Sequence, residues 1–138
     1  NFIAETLGFN SLGFLGDYLP TAFGGFSIHS AALHRDPMTI EALVRVGLKG
    51  LKVMKQDKNF TIKVMQQFSK MPDIELARRA YEGSIGYYTD DGIISESDQR
   101  AILEEEKKGL KLARDIPLSI FDFTIAKKVK KELADWKP

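Results

Sequence analysis

The spacing of the apolar residues changes at Asp36 and Pro37, and this change limits the possible folds more than any other feature of the chain. From there on, apolar residues recur at intervals of three and four, starting with Ile40, Leu43 and Val44. Such spacing places them on one face of an α-helix, and aspartate followed by proline is a typical helix start. The chain beyond Asp36 is therefore predicted to be helical.

The same periodicity predicts about five helices after residue 36. The second is expected to begin near Asn59 as its cap and to pack through Phe60, Val64, Met65 and Phe68. The third follows the break at 71–73, and the fourth starts at Ser95 with Asp98 in a variant of the capping box. Asp122 is expected to cap the last helix. The packed faces of the third and last helices are predicted to be Leu76, Ala77, Ala80, Tyr81 and Ser84, and Ile125, Ala126, Val129, Leu133 and Trp136.

Two short segments before residue 36 read as β-strands. Residues 10–15 form a short apolar run, and residues 26–30 alternate apolar and small polar side chains. Two strands alone make an unstable sheet, so they are expected to pair with strands elsewhere. The predicted fold class is α/β but mostly helical, with strands and a crossing segment in residues 1–35 and a helical region in residues 36–138.

Length and composition exclude several classes of protein. With 138 residues, 43% of them hydrophobic, the chain is expected to form one globular unit. The net charge of +1 argues against general binding to nucleic acid, and the absence of cysteine excludes disulfides and thiolate chemistry. The chain begins at Asn1, and its first residues resemble the last turns of a helix that stops at Gly8. We therefore expect a fragment of a longer protein.

The segment from Gly86 to Ser95 contains two adjacent carboxylates and invites a test for a metal site. Aligning Gly92 with the glycine of a calcium-binding EF-hand loop puts Tyr87 and Thr89 where carboxylates are needed. The pattern fails, and no metal or cofactor is predicted. Asp90 and Asp91 are instead expected to form a turn in which Gly92 takes a positive φ.

The glycine-containing loop between the two predicted strands is the candidate ligand site. Paired glycines let backbone N–H groups approach a small molecule, and loops at strand ends often bind ligands. The predicted ligand-binding residues are Asp17, Tyr18, Thr21, Gly24 and Gly25, with Ser27 and His29 behind them. The alternative is that the glycines only relieve crowding at a strand entry, and that His29 is a hydrogen-bonded strand residue.

The order of these elements resembles a known family. The helix start from Asp36 to Val46 and the turn from Thr89 to Gly92 are similar to the C-terminal part of substrate-binding proteins of ABC importers. The nitrate, sulfonate, taurine and thiamine-precursor group is the most similar branch. The resemblance covers nearly the whole chain and implies part of a type II periplasmic-binding-protein fold, in which two α/β lobes close on a ligand.

What the resemblance implies is a binding protein and not an enzyme. The chain would be part of an extracytoplasmic or periplasmic component that presents a small anionic or heterocyclic solute to a membrane permease. One alternative is an enzyme similar to thiamine-pyrimidine synthases on the same fold, which would depend on His29. Another is a helical interaction or dimerisation module, in which the exposed strands pair with a second copy.

Overall fold

The chain is described by a computed structural model that covers residues 4–5, 7–13, 18 and 24–138. This part of the chain contains α-helices, two short 3-10 helices and no β-strand. The α-helices are α1 (Ser30–Arg35), α2 (Pro37–Gln56), α3 (Lys58–Phe68), α4 (Ile74–Ser84), α5 (Glu96–Gly109) and α6 (Thr124–Glu132). The 3-10 helices are Ile85–Tyr87 and Leu118–Ile120.

The prediction of an α/β fold with two strands is wrong for the described residues. Residues 10–13 and 24–29 are irregular, and Ser30 already belongs to α1. The side chain of His29 accepts a hydrogen bond from the backbone N–H of Ala31 at 3.1 Å, so His29 caps α1 and lies in no strand. A run of five alternating residues is too short to distinguish a strand from an extended lead into a helix. Residues 14 and 15 of the first predicted strand lie outside the described residues.

The helix starts follow from capping side chains. Asp36 accepts from the N–H of Thr39 at 3.1 Å, and Ser95 accepts from Asp98 at 3.1 Å, which confirms both predicted caps. The predicted cap at Asn59 is wrong. Helices α2 and α3 are separated by Asp57 alone, and its carboxylate accepts from the N–H of Phe60 at 3.0 Å. Aspartate at this position satisfies an N–H that has no partner within the helix.

The core lies where α2, α3 and α4 meet. Ile62, Ala77 and Tyr81 form its buried centre. The packed face predicted for α4 is confirmed, because its buried residues are Leu76, Ala77, Ala80 and Tyr81. In α6 the predicted face is also turned inward, since Val129 and Leu133 are buried. The partly buried side chains around the centre are Met54, Met65, Met71 and Ile85.

The exposed surface of the chain is large for its mass. Its accessible area is 10483 Å². A folded monomer of 15.5 kDa has about 7200 Å². None of the helices in the described part of the chain is long and apolar enough to cross a membrane. Among the described residues, several large apolar side chains are exposed, including Phe60 and Phe68 of α3.

Candidate interaction surface

The predicted ligand residues lie partly outside the described part of the chain, and those within it are exposed. Asp17 and Thr21 lie outside the described residues. Tyr18 is exposed and its ring lies against Gly13, where an added Cβ would be 3.3 Å from a ring carbon. Gly24 and Gly25 are exposed in the irregular segment before α1. A Cβ added at either glycine would meet no atom within 4 Å, so neither is required by close packing.

The remaining candidates, Ser27 and His29, are exposed in the same irregular segment. His29 uses its Nδ1 atom to cap α1. The segment is fixed to the rest of the molecule by Phe26, whose ring lies over Gly47 of α2. A Cβ at Gly47 would be 2.8 Å from the ring, so the missing side chain makes this contact possible. The described part of the segment therefore serves as the lead into α1.

The turn from Thr89 to Gly92 has the predicted conformation. Gly92 has a φ of 69°, and its N–H donates to the hydroxyl of Thr89 at 2.8 Å. The carboxylate of Asp91 accepts from the N–H of Ile93 at 3.0 Å. Left-handed backbone at this position favours glycine because a Cβ would crowd the following peptide. The prediction that Gly92 supplies a positive φ is confirmed.

This turn also connects two helices through its carboxylates. Lys55 of α2 donates to the carboxylate of Asp90 and, at 2.6 Å, to the carbonyl of Tyr88. Lys130 of α6 donates to Asp91 at 2.6 Å. Partial burial of Asp91 opposes its ionisation, but the hydrogen bonds from Lys130 and from the backbone outweigh it and lower the pKa of this carboxyl. Asp90 therefore links this turn to α2, and Asp91 links it to α6.

A chain of ion pairs joins α6 to α2. Lys128 of α6 donates to Glu41 at 2.6 Å, and Arg45 donates to Glu41 at 2.8 Å. Arg45 also donates to Glu132 of α6. The hydrogen bond from Lys128, aided by Arg45, lowers the pKa of the Glu41 carboxyl below its usual value. Since two cations share Glu41, this residue is the centre of the α2–α6 contact.

The end of α6 is held by two further lysines of α2. The ammonium group of Lys52 donates to the carbonyls of Leu133 and, at 3.2 Å, of Trp136. A positive charge is favourable here because the last carbonyls of a helix lack partners and carry partial negative charge. Lys49 lies 5.0 Å from the ring centre of Trp136, in a cation–π contact. Val129 of α6 and Leu133, its C-cap, are buried, so charged contacts around the helix add to a small apolar contact.

Helix α3 has two apolar faces, and only one is covered. Thr61 and Ile62 face the core, whereas Phe60, Val64 and Phe68 are 54%, 43% and 88% exposed. The predicted packing through Phe60, Val64 and Phe68 is therefore wrong. We call these three residues the outer stripe. They are four positions apart, so they follow one line along the helix for about 12 Å.

The inner face of α3 is fixed by hydrogen bonds as well as by packing. The carbonyl of Met54, in the last turn of α2, accepts from the hydroxyl of Tyr81 at 3.0 Å and from that of Thr61 at 3.4 Å. These two donors satisfy a carbonyl that has no partner at a helix end. Thr61 must face inward to donate, and Phe60, one residue earlier and about 100° around the helix axis, is left facing solvent. Phe68 is exposed at the last residue of α3.

Sequence reasoning missed this orientation because both faces of α3 are apolar. The buried threonine was the available signal, since Thr61 can satisfy a helix-end carbonyl and Phe60 cannot. No family model, curated protein or solved structure matches this chain. The resemblance to substrate-binding proteins of ABC importers therefore stays a prediction.

Proposed function

We propose that this chain is a helical protein-interaction module that binds another polypeptide through the outer stripe of α3. The observation that carries the proposal is the exposure of all three outer-stripe residues on a helix that is anchored in the core by Thr61 and Ile62. Burying apolar area gains about 25 cal/mol per Å², so a contiguous apolar line on an ordered helix is a favourable place for a partner.

The first test asks whether the outer stripe is a free surface or contributes to the stability of the core. Replacing both Phe60 and Phe68 by serine is expected to change the free energy of unfolding by no more than about 0.5 kcal/mol, as for other surface sites. The matched variant is Ile62→Ala on the inner face of α3, which is expected to cost about 2–5 kcal/mol. Urea unfolding measures both. A loss in the serine variant as large as that in Ile62→Ala would contradict the proposal.

The second test asks whether a polypeptide contacts the stripe. A photo-crosslinking amino acid at Phe68, in the natural full-length protein in its own cells, is expected to give a crosslinked polypeptide. The control carries the same group at Glu104, an exposed position of α5. Crosslinks of equal yield at both positions, or none at Phe68, would contradict the proposal. Loss of the product in the Phe60→Ser background would support it.

The role of extracytoplasmic solute-binding component stays a prediction. Its described candidates Gly24, Gly25, Ser27 and His29 are exposed along one irregular segment, and Asp17 and Thr21 lie outside the described residues. The matching experiment is a thermal-shift screen of the full-length protein with sulfonates, nitrate and thiamine precursors. Stabilisation by any of these solutes would favour the transport role, and a loss of activity in His29→Asn with folding intact would favour the enzyme.

A further inference from the structure

Lysines lie beside the outer stripe and beyond its C-terminal end, while at its N-terminal end the carboxylate of Asp57 is used to cap the N–H of Phe60. Helix α3 contains Lys58 and Lys63 and no aspartate or glutamate, and Lys70 follows its end. Lys58 donates to Glu82 of α4 at 2.6 Å. Lys63 and Lys70 are exposed, and neither has an ion-pair partner within the part of the chain that the structure describes. Two lysines on this surface are thus available to a carboxylate.

The lysines lie close to the apolar line. At 100° per residue, Lys63 is turned by about 60° from Phe60 around the axis of α3 and follows it by one turn. Lys70 comes two residues after Phe68, just beyond the helix end. Lys63 therefore borders the stripe beside Phe60, and Lys70 borders it beyond Phe68.

We propose, building on the proposed function, that the occupant of the outer stripe is an acidic amphipathic α-helix of another protein. A helix with apolar side chains at intervals of three and four fits a line of three apolar side chains about 12 Å long. Carboxylates beside its apolar face would pair with Lys63 and Lys70, which fixes orientation and rejects basic partners.

A second copy of this chain fits the surface less well. Symmetric pairing of two α3 helices would bring Lys63 and Lys70 of one copy toward the same lysines of the other, and like charges at an interface are unfavourable. An anionic membrane offers negative charge without apolar side chains at helical spacing. Both are therefore distinct outcomes of the test below.

The probe is an 18-residue peptide with leucines at positions that repeat every three and four residues and glutamates on both sides of them. Its control has lysine in place of every glutamate. Fluorescence anisotropy with the labelled peptides measures binding to the full chain. We expect the acidic peptide to bind at least about tenfold more tightly than the basic peptide, and the Phe60→Ser, Phe68→Ser variant to lose at least about tenfold in affinity.

The decisive measurement is the charge reversal Lys63→Glu with Lys70→Glu, neither of which touches the core. We expect this variant to bind the basic peptide in preference to the acidic one. Equal binding of both peptides, or no binding of the acidic peptide, would overturn the inference. So would concentration-dependent self-association or binding to phosphatidylserine vesicles that is lost in Phe60→Ser, Phe68→Ser. If a partner is crosslinked at Phe68 and the yield is the same in the charge-reversal variant, the proposed interaction function is supported. The same result would contradict the inference that the partner is an acidic helix.

Discussion

At the residue scale, the hydroxyl of Tyr81 shows how one buried group organises three helices. It donates at 3.0 Å to the carbonyl of Met54 at the end of α2, while its ring packs against Ile62 of α3. Tyr81→Phe keeps the ring and removes the donor, so Met54 is left with the longer bond from Thr61. We expect a loss of about 0.5–1.5 kcal/mol in the free energy of unfolding, measured by urea denaturation.

The control for this variant is Tyr88→Phe, because Tyr88 is 49% exposed and its hydroxyl can be solvated. It is expected to change stability by no more than about 0.5 kcal/mol. Equal stability of Tyr81→Phe and Tyr88→Phe would show that the hydrogen bond to Met54 contributes nothing net. A loss confined to Tyr81→Phe supports the placement of Thr61 on the inner face of α3.

At the element scale, α6 is expected to detach from α2 in acid. Lys128 and Lys130 of α6 face Glu41 and Asp91, and the pKa values of both carboxyls are lowered. When folding lowers the pKa of a carboxyl, its ionised form stabilises the folded state at pH values above the pKa that the group has in the unfolded chain. This stability is lost as the pH falls through the pKa of the group in the folded state. The other charged groups facing α6 are Arg45, Lys49 and Lys52 of α2 and, on α6 itself, Glu132.

The readout for α6 is Trp136, the one tryptophan in the sequence. Its emission is expected to be constant from pH 8 to about 5 and to shift to longer wavelength below about 4.5, as the ring leaves Lys49. Glu41→Gln removes one of the titrating carboxylates, so its emission at neutral pH should already be shifted and its acid change smaller. Glu104→Gln on α5 is the matched control. An unchanged acid transition in Glu41→Gln would rule out Glu41 as the centre of the contact.

Sequence reasoning predicted some elements well and others wrongly, for physical reasons. The face of α4 and the caps Asp36 and Ser95 were predictable, because each depends on neighbours within one or two turns. The strands were wrong because a short alternating run has no unique structure without a partner strand. The orientation of α3 was not predictable from periodicity, since it depends on a hydrogen bond from Thr61 to the carbonyl of Met54 in the preceding helix. The exposure of the outer stripe was missed for the same reason.

At the scale of the whole molecule, the large accessible area predicts a weak dependence of stability on denaturant and temperature. An unfolded chain of 15.5 kDa exposes about 22,500 Å², so an area of 10483 Å² means that about half is buried, against about two-thirds for compact domains of this length. Both the urea m-value and the heat capacity of unfolding scale with the area exposed on unfolding.

We therefore expect both quantities to be about a fifth below those of compact proteins of equal length. For 138 residues, the expected heat capacity change of unfolding is about 1.3–1.6 kcal/mol/K, whereas a compact protein of this length would have about 1.7–2.1 kcal/mol/K. Calorimetry and urea unfolding at low protein concentration measure them. Saturation with the acidic peptide should raise both, because the covered stripe is exposed again on unfolding. If the free chain has the m-value and heat capacity change of a compact protein, it buries its apolar surface by itself. That result would contradict the proposal of an interaction module.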